Sequence, residues 1–287
     1  MAGEGAALRA RRVPWHGLAF AALFLAYVLL TIGVLWSSPV LSVDKWFYDM
    51  HWRHAIAASY FPWISAYVML GQRGPATLLF LPWFIWVARR DRSPRPLVLL
   101  ATSLVLLNVS VGVVKYAIRR AGPLSTHNVH DLFVSGGTIY PSGHVSNAVV
   151  LYGLVAWIAV KHRKLLTAVA VFLSVTVGLG TVYKNTHWFS DVVGGWIAGG
   201  LVLLALPWVM PTTERWADRA LARFRAWRRR RALAQRPAPA PRPQGKVTPV
   251  SSSAVAQSLP ATPASLDALD EPTRRGNPRI SPIPSGP

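Results

Sequence analysis

The chain contains no cysteine and few acidic residues, and both shortages narrow what it can do. Without cysteine, disulfides, thiol catalysis and cysteine-based metal sites are excluded. Only 15% of the residues are charged whereas 52% are apolar, and Lys and Arg outnumber Asp and Glu by 31 to 11. The chain also has 13 Trp, a residue that concentrates where hydrocarbon meets water. This composition favours a membrane protein over a soluble domain.

The excess of positive charge is grouped in four short clusters, each beside an apolar run. Such clusters are typical of loops that stay on the cytoplasmic side of a membrane. They favour contact with anionic lipids over binding of nucleic acid, so we expect no nucleic-acid partner. The clusters cover residues 9–12, 89–92, 161–164 and 223–231.

Apolar runs predict six transmembrane helices, because a spanning helix needs roughly 20 mainly apolar residues. The predicted spans cover residues 17–37, 74–87, 96–117, 144–160, 165–183 and 188–210. The first run is longer than the core of a usual signal peptide and has no clear cleavage site, so we interpret it as a retained helix. Residues 44–67 mix aromatic and charged side chains, which is typical of a helix lying at the interface; a seventh span is the alternative.

Six spans place both termini and all four basic clusters on one face, which is then the cytoplasm of a plasma-membrane protein. The predicted organisation is a basic N-terminus at 1–14, a membrane domain at 15–210, a basic juxtamembrane helix at 211–235 and a tail at 236–287. The tail holds twelve of the 23 prolines and has no apolar periodicity. We therefore expect a disordered tail, whose protein partners the sequence does not identify.

Polar residues concentrate at the outer ends of three predicted spans, where ionisable groups usually mark a functional site. A helix that starts after a Pro-Ser-Gly segment presents free N–H groups and favours an anion. A His and an Asp four residues apart share one helix face, so the carboxylate can orient the imidazole. The residues concerned are Lys115 at the end of the third span, Ser142, Gly143 and His144 at the start of the fourth, and His187 and Asp191 at the start of the sixth.

Each of these residues also has a plain structural interpretation. Lys115 can snorkel to the interface, His144 can cap its helix, and a His–Asp pair can be a simple hydrogen-bonded pair. The loop residues His127, His130 and Asp131 suggest a metal site together with His144, but loop histidines of this kind are more often solvated, so no metal is predicted. The joint order of the motifs on one face favours the functional interpretation.

The order Lys, Pro-Ser-Gly-His and His-x-x-x-Asp resembles the type 2 phosphatidic acid phosphatase (PAP2) family, which shares its core with the vanadate haloperoxidases. The similarity covers residues 15–210, and the central motif matches fully at 141–144. The resemblance implies an all-α bundle of six transmembrane helices. It also implies a membrane phosphatase that acts on lipid phosphates or isoprenyl diphosphates at the extracytoplasmic face, without a metal or other cofactor.

The resemblance implies a role for each motif residue. His187 would attack phosphorus and form a phosphohistidine, Asp191 would orient His187, and His144 would protonate the leaving group. The phosphoryl oxygens would be held by Lys115, Ser142 and the backbone of Gly143.

Two positions depart from the family pattern, and at both the family has an arginine that grips phosphate. Gly122 stands seven residues after Lys115, and Thr181 stands six residues before His187. The loss of one charge contact to the transition state costs on the order of 3 kcal/mol, or roughly a hundredfold in rate.

Three nearby cations are candidates to replace the missing arginines in phosphate binding: Arg120 first, then Arg119 and Lys184. The alternative function is a catalytically silent family member that binds a lipid headgroup or a protein partner. A transporter is disfavoured, because the polar residues gather at one face and transport sites usually lie near mid-membrane.

Overall fold

The computed structural model describes residues 14–36, 38–50, 60–126, 128–159 and 161–235. Every regular element within these ranges is helical, so the all-α prediction is confirmed for them. The predicted disorder of the tail at 236–287 falls outside the described residues. The helices are α1 (Pro14–Leu35), α2 (Pro39–Asp49), α3 (Phe61–Val68), a 3₁₀ turn (Met69–Gly71), α4 (Arg73–Arg90), α5 (Arg95–Ile118), α6 (Gly143–Ile158), α7 (Arg163–Tyr183) and α8 (Phe189–Ala234).

Helices occur at all six predicted spans, but they differ in their capacity to cross a membrane. Among the described residues, α1, α5, α7 and α8 are long and apolar enough by length and composition. Helix α6 has only 16 residues, and α4 has three arginines within its 18 residues. Several apolar helices thus suggest a multi-pass membrane protein, while the count of six spans stays a prediction.

Helix α6 forms the centre of the bundle, and most of its residues are buried. Its apolar side chains join those of α4, α5 and α8 in the largest core cluster, and those of α7 in a second one. On α8, Gly195 and Gly199 allow a close approach, because a Cβ atom there would lie 2.8 Å from the Ser142 carbonyl oxygen and 2.7 Å from Val149 Cβ. Small residues at such contacts bring helix backbones together in membranes. This contact sets the start of α8 beside the start of α6.

The outer surface of the bundle is apolar over much of its area. A contiguous apolar surface of this kind is unusual on a soluble monomer and suits contact with lipid. Exposed side chains on three of the long helices include Leu18, Phe24 and Leu29, then Val105, Val109 and Val113, then Leu165, Val171 and Phe172.

Two segments differ from the sequence-based expectation. The predicted interfacial helix at 44–67 is represented by the end of α2 and by the separate helix α3, with residues 51–59 outside the described part. Helix α8 continues through Pro207 and Pro211 to Ala234, so the sixth predicted span and the predicted juxtamembrane helix are one element. The boundary near 210 was predicted from the end of the apolar run, whereas proline, which often kinks a helix, does not end this one.

Candidate active site

The start of α6 is fixed by its own serine and by α8. Ser142 is the N-cap, and its hydroxyl accepts a 3.5 Å hydrogen bond from the Val145 N–H. The Ser142 N–H in turn donates to the Asp191 carbonyl oxygen at 2.9 Å. The first N–H groups of a helix have no partner within the helix. Those of Gly143 and His144 therefore mark a local site of positive potential beside α8.

The start of α8 orients the Asp191 side chain. Its Oδ2 accepts a 2.9 Å hydrogen bond from the Trp188 N–H, the residue that precedes the helix. A carboxylate three residues into a helix commonly reaches back in this way. The same Oδ2 lies 3.5 Å from Nδ1 of His187, and the Asp191 side chain is fully buried. The carboxylate therefore faces one nitrogen of His187 and leaves Nε2 on the opposite side of the ring.

The two motif histidines come together at this end of the bundle. The rings of His144 and His187 lie with centroids 6.1 Å apart at an interplanar angle of 69°. Most of the His187 surface is buried, with 7% exposed. At this separation both imidazoles can act on one phosphoryl group, one as nucleophile and the other as proton donor.

A buried network of charges binds Oδ1 of Asp191, the carboxylate oxygen that does not face His187. Arg120 donates from Nη1 to Oδ1 of Asp191 at 2.7 Å and from Nη2 to Oδ2 of Asp44 at 2.7 Å. Asp44 also accepts from the Ser190 N–H at 2.7 Å and from the Ser190 hydroxyl at 2.6 Å. All three charged side chains are completely buried. Helix α2 is thereby tied to the first turn of α8 through the Asp191 carboxylate.

The electrostatics of this network keep Arg120 charged. Burial acts to lower the pKa of the Arg120 guanidinium, but the negative charges of Asp191 and Asp44 outweigh it, and the net shift of the pKa is upward. Burial raises the pKa of Asp44, against the opposing effect of Arg120. Two carboxyl groups share one guanidinium, and their negative charge holds Arg120 in its charged form despite its burial.

An open space beside Gly143 is flanked by positive charge. A Cβ atom on Gly143 would meet only Lys115 Cε, at 3.7 Å. Lys115 donates to the Thr138 carbonyl oxygen, and the Arg73 guanidinium lies near enough for its charge to repel that of Lys115. Lys115 and the free N–H groups of α6 thus border one space, and Arg73 adds positive charge that acts on Lys115, a combination that favours an anion.

The three cations expected to replace the motif arginines take different positions. Arg120 directs both terminal nitrogens to carboxylates. Arg119 ends α5 in the left-handed conformation, with φ at 49°, and its side chain is exposed. Lys184 places its ammonium 5.9 Å from the centre of the Phe61 ring, and its charge still acts on His144. No described contact brings Arg119 to the histidines.

The two departures from the family pattern leave no guanidinium at either position. Thr181 is buried, and its hydroxyl donates to the Gly178 carbonyl oxygen one turn earlier at 2.7 Å. The Gly122 N–H donates to the Ser125 hydroxyl at 3.1 Å, within the loop that follows α5. Both positions are satisfied locally, so neither side chain nor backbone substitutes for the missing charge.

The loop that carries His130 and Asp131, the alternative metal site suggested by the sequence, is organised by its own hydrogen bonds. Asp131 accepts from the Thr126 hydroxyl and, at 2.7 Å, from the Asn128 side-chain amide. His130 is exposed, and His127 lies outside the described residues. Within the part of the chain that the structure describes, no group of three or more His, Asp or Glu side chains is arranged to hold a metal ion.

Sequence reasoning did not identify two residues of this region. Asp44 lies in the aromatic and charged segment interpreted as interfacial, and its only signal was an acidic residue in that segment. Arg73 precedes the second predicted span, where it appeared to be part of a basic or polar loop. Both are distant in sequence from the motifs, and only the packing of α2 and α4 brings them to the site.

Comparisons with known proteins find similarity to one superfamily. Residues 96–215 match the model of the PAP2 superfamily. Phosphatidylglycerophosphatase B of Bacillus subtilis (strain 168) is 34% identical over 97 residues, which are 31% of this chain and 46% of that protein. The matched segment therefore spans about half the length of this curated relative.

A solved structure shares the fold. The crystal structure of a transmembrane PAP2 type phosphatidylglycerolphosphate phosphatase from Bacillus subtilis superposes with a TM-score of 0.55 at 23% sequence identity, covering 66% of this chain and 93% of that one. The match to the family model and the similarity to the relative confirm the resemblance that the motifs predicted: residues 96–215 are similar to the PAP2 superfamily, and the solved structure shows the same fold.

Proposed function

We propose that the chain is an integral membrane phosphatase that hydrolyses lipid phosphates or isoprenyl diphosphates at the extracytoplasmic face through a phosphohistidine. The observation that carries the proposal is the meeting of His187 and His144 at the starts of two helices, with ring centroids 6.1 Å apart. The Asp191 carboxylate lies beside Nδ1 of His187, and Lys115 lies beside the open space at Gly143. A nucleophile, its orienting carboxylate, a proton donor and a phosphate-binding cation are the parts that this reaction needs.

The reaction proceeds in two balanced steps. Nε2 of His187 forms a bond to phosphorus while the bond from phosphorus to the leaving oxygen breaks, and His144 gives that oxygen a proton. Water then attacks the phosphohistidine, His144 takes a proton from the water, and the bond from nitrogen to phosphorus breaks. Phosphate leaves, and both histidines return to their starting states. Asp191 stabilises the positive charge on the His187 ring throughout.

Similarity to relatives supports the general activity of a lipid phosphatase. The named activity of the relative and of the solved structure is the hydrolysis of a phosphatidylglycerol phosphate. We extend to this chain the general activity, a lipid phosphatase of the PAP2 type. The basic clusters at 89–92 and 161–164 lie at the ends of helices away from His187, which supports cytoplasmic termini and an extracytoplasmic site.

Metal-independent phosphate release is the first expected result. Protein purified in detergent with EDTA should release phosphate from phosphatidate or from an isoprenyl diphosphate, since the proposed nucleophile and acid are side chains. Colorimetric phosphate determination against protein-free micelles measures the rate. A protein that is folded by thermal unfolding yet releases no phosphate from either lipid contradicts the enzymatic function.

A silent, lipid-binding protein is the second candidate, and the missing guanidinium at Gly122 and Thr181 is the observation that favours it. If the protein is silent, Gly122→Arg should create a phosphatase activity that the wild type lacks. A Cβ atom at Gly122 would lie 3.2 Å from Ile139 Cγ2, so the variant requires the Ile139 side chain to shift by a few tenths of an ångström.

The Gly122→Arg variant is compared with Leu124→Arg, which adds the same charge at an exposed position of the same loop. For an active wild type we expect Gly122→Arg to raise kcat/KM by up to roughly a hundredfold, the value of one charge contact to the transition state, and Leu124→Arg to leave it unchanged. An equal rise in both variants would show that added charge alone is responsible and would remove the argument for a missing contact at Gly122.

A further inference from the structure

Three polar side chains lie deeper in the bundle than the catalytic residues, and none of them has a role in the proposed reaction. Thr77 on α4, Asn108 on α5 and Asn147 on α6 each have a buried side-chain oxygen without a hydrogen-bond partner. Asn147 is nearly inaccessible, with 4% of its surface exposed. Unpartnered buried polar atoms are rare, and inside a membrane they usually mark a functional site.

The start of α4, the end of α5 and the start of α6 meet at the level of Lys115 and His144, which is called the catalytic layer below. Gly71, just before α4, packs so closely on α6 that a Cβ atom there would lie 2.6 Å from the His144 carbonyl oxygen. Gly143 on α6 lies beside Lys115 of α5, and the positive charge of Arg73 on α4 acts on Lys115. Helices α4, α5 and α6 therefore converge directly at the proposed phosphate site.

The three polar residues share helix faces with these contacts. Thr77 follows Arg73 by four residues, Asn147 follows His144 by three, and Asn108 precedes Lys115 by seven. Residues spaced by three, four or seven positions lie on one face of a helix. The polar oxygens are thus one to two turns below the catalytic layer, on the side toward the membrane interior.

The same faces also meet beneath the polar residues. Phe84 follows Thr77 by seven residues, Leu104 precedes Asn108 by four, and Leu151 follows Asn147 by four. These three apolar side chains belong to one packed cluster. Contacts above and below therefore place Thr77, Asn108 and Asn147 on the faces along which α4, α5 and α6 pack.

We propose that Thr77, Asn108 and Asn147 form a subsite for a hydroxyl group that the substrate carries close to its phosphate. The inference rests on the proposed function, which places the phosphate at Lys115 and Gly143. The acyl chain of a lipid substrate must run from that phosphate toward the membrane interior, past this layer. Amide and hydroxyl oxygens satisfy a hydroxyl donor, whereas a hydrocarbon chain attached directly to phosphate would leave them unpartnered. The ligand class is a glycerol-type phosphate monoester with a free hydroxyl.

Two lipids that differ by a single hydroxyl test the subsite. The pair is a 1-acyl-glycerol 3-phosphate and its 2-deoxy analogue, a 1-acyl-propanediol 3-phosphate, in the same detergent. We expect the wild type to favour the hydroxylated lipid in kcat/KM by at least about tenfold, because a site built to bond a hydroxyl rejects an analogue without one. Asn147→Leu and Asn108→Leu should abolish the preference by slowing the hydroxylated lipid. Ser103→Ala, a buried α5 residue whose hydroxyl bonds its own helix, should keep it.

Binding of the two lipids separates failure of the subsite from failure of the proposed function. The dissociation constants are measured with His187→Ala protein, which does not consume the lipids. Wild-type hydrolysis of both lipids with less than a tenfold preference overturns the subsite and leaves the phosphatase standing. If no phosphate is released, a tenfold tighter binding of the hydroxylated lipid supports the subsite while the phosphatase fails, and equal binding overturns the subsite as well.

Discussion

Replacement of His187 by alanine should lower the rate of phosphate release by at least about 10⁴-fold, because removal of a nucleophile eliminates the covalent route. His144 is not placed to replace His187, because the two ring centroids lie 6.1 Å apart and the Asp191 carboxylate faces His187. The measurement is the initial rate of phosphate release from a lipid phosphate by equal amounts of folded protein.

The intermediate gives the same prediction a second readout. Lipid labelled with ³²P in the phosphate should leave acid-labile, alkali-stable label on the wild-type protein, as expected for phosphorus bound to an imidazole nitrogen. The His187→Ala protein should carry no label. His130→Ala, a change at an exposed histidine of the outer loop, is the matched control and should keep both rate and label. Label on the His187→Ala protein would disprove this residue as the nucleophile.

Loss of Asp44 should be the second large effect, on both stability and rate. Asp44→Ala leaves Arg120 with one carboxylate fewer, and it leaves the Ser190 N–H without its acceptor. The removal of one partner of a buried ion pair typically costs about 3–5 kcal/mol. For a protein of this size that corresponds to a fall of about 10 °C in the midpoint of thermal unfolding. The midpoint is measured in detergent by intrinsic Trp fluorescence.

A matched acidic residue on the same helix is the control for this prediction. Asp49 forms an ion pair with Lys45 at 2.8 Å, and their side chains are 50% and 62% exposed. Exposed pairs contribute about 0–1 kcal/mol, so Asp49→Ala should change the midpoint little. Equal destabilisation by the two variants would show that α2 contributes through helix stability and that the buried network has no special role.

The rate effect of Asp44 follows from its indirect connection to His187. Asp44 acts through Arg120 on the Asp191 carboxylate, which lies 3.5 Å from His187 Nδ1, so Asp44 is a positioning residue. We expect Asp44→Asn to lower kcat by about a hundredfold, as small misplacements of a catalytic group do, with a smaller change of KM. Steady-state kinetics at a temperature where the variant remains folded make the measurement. A change of KM alone would contradict the positioning role.

The role of Arg120 is the clearest case in which sequence and structure lead to different expectations. Its distance of five residues from Lys115 suggested a replacement for the missing phosphate clamp. In the fold its Nη1 donates to Asp191 and Ser190, its Nη2 donates to Asp44, and its side chain is completely buried. A guanidinium with this set of partners orients the Asp191 carboxylate. Lys115 then remains beside the proposed phosphate site at Gly143, and the charge of Arg73 acts on Lys115.

The amino-acid sequence by itself determined the helical class, the positions of α5 to α7 and the start of α8, and the choice of motif residues. Long apolar runs predict helices because each backbone group in lipid must find its partner within its own segment. The start of α6 at Gly143 was predictable from Pro141-Ser142-Gly143. The approach of His187 to Asp191 was also predicted, but its stated reason was wrong: His187 precedes α8, which begins at Phe189, so the two residues do not share a helix face. These features depend on neighbours within one or two helical turns.

Only the tertiary structure decided what lies around those residues. The bond from Arg120 to Asp44 joins positions 76 residues apart, and the approach of Gly71 to His144 joins a turn to a helix start. Thr77, Asn108 and Asn147, each with a buried unpartnered oxygen, likewise lie on three different helices. Such contacts carry no local pattern, because they follow from the way whole helix faces pack, here by close approach at Gly195 and Gly199. Local spacing selects the catalytic groups, and packing selects their partners.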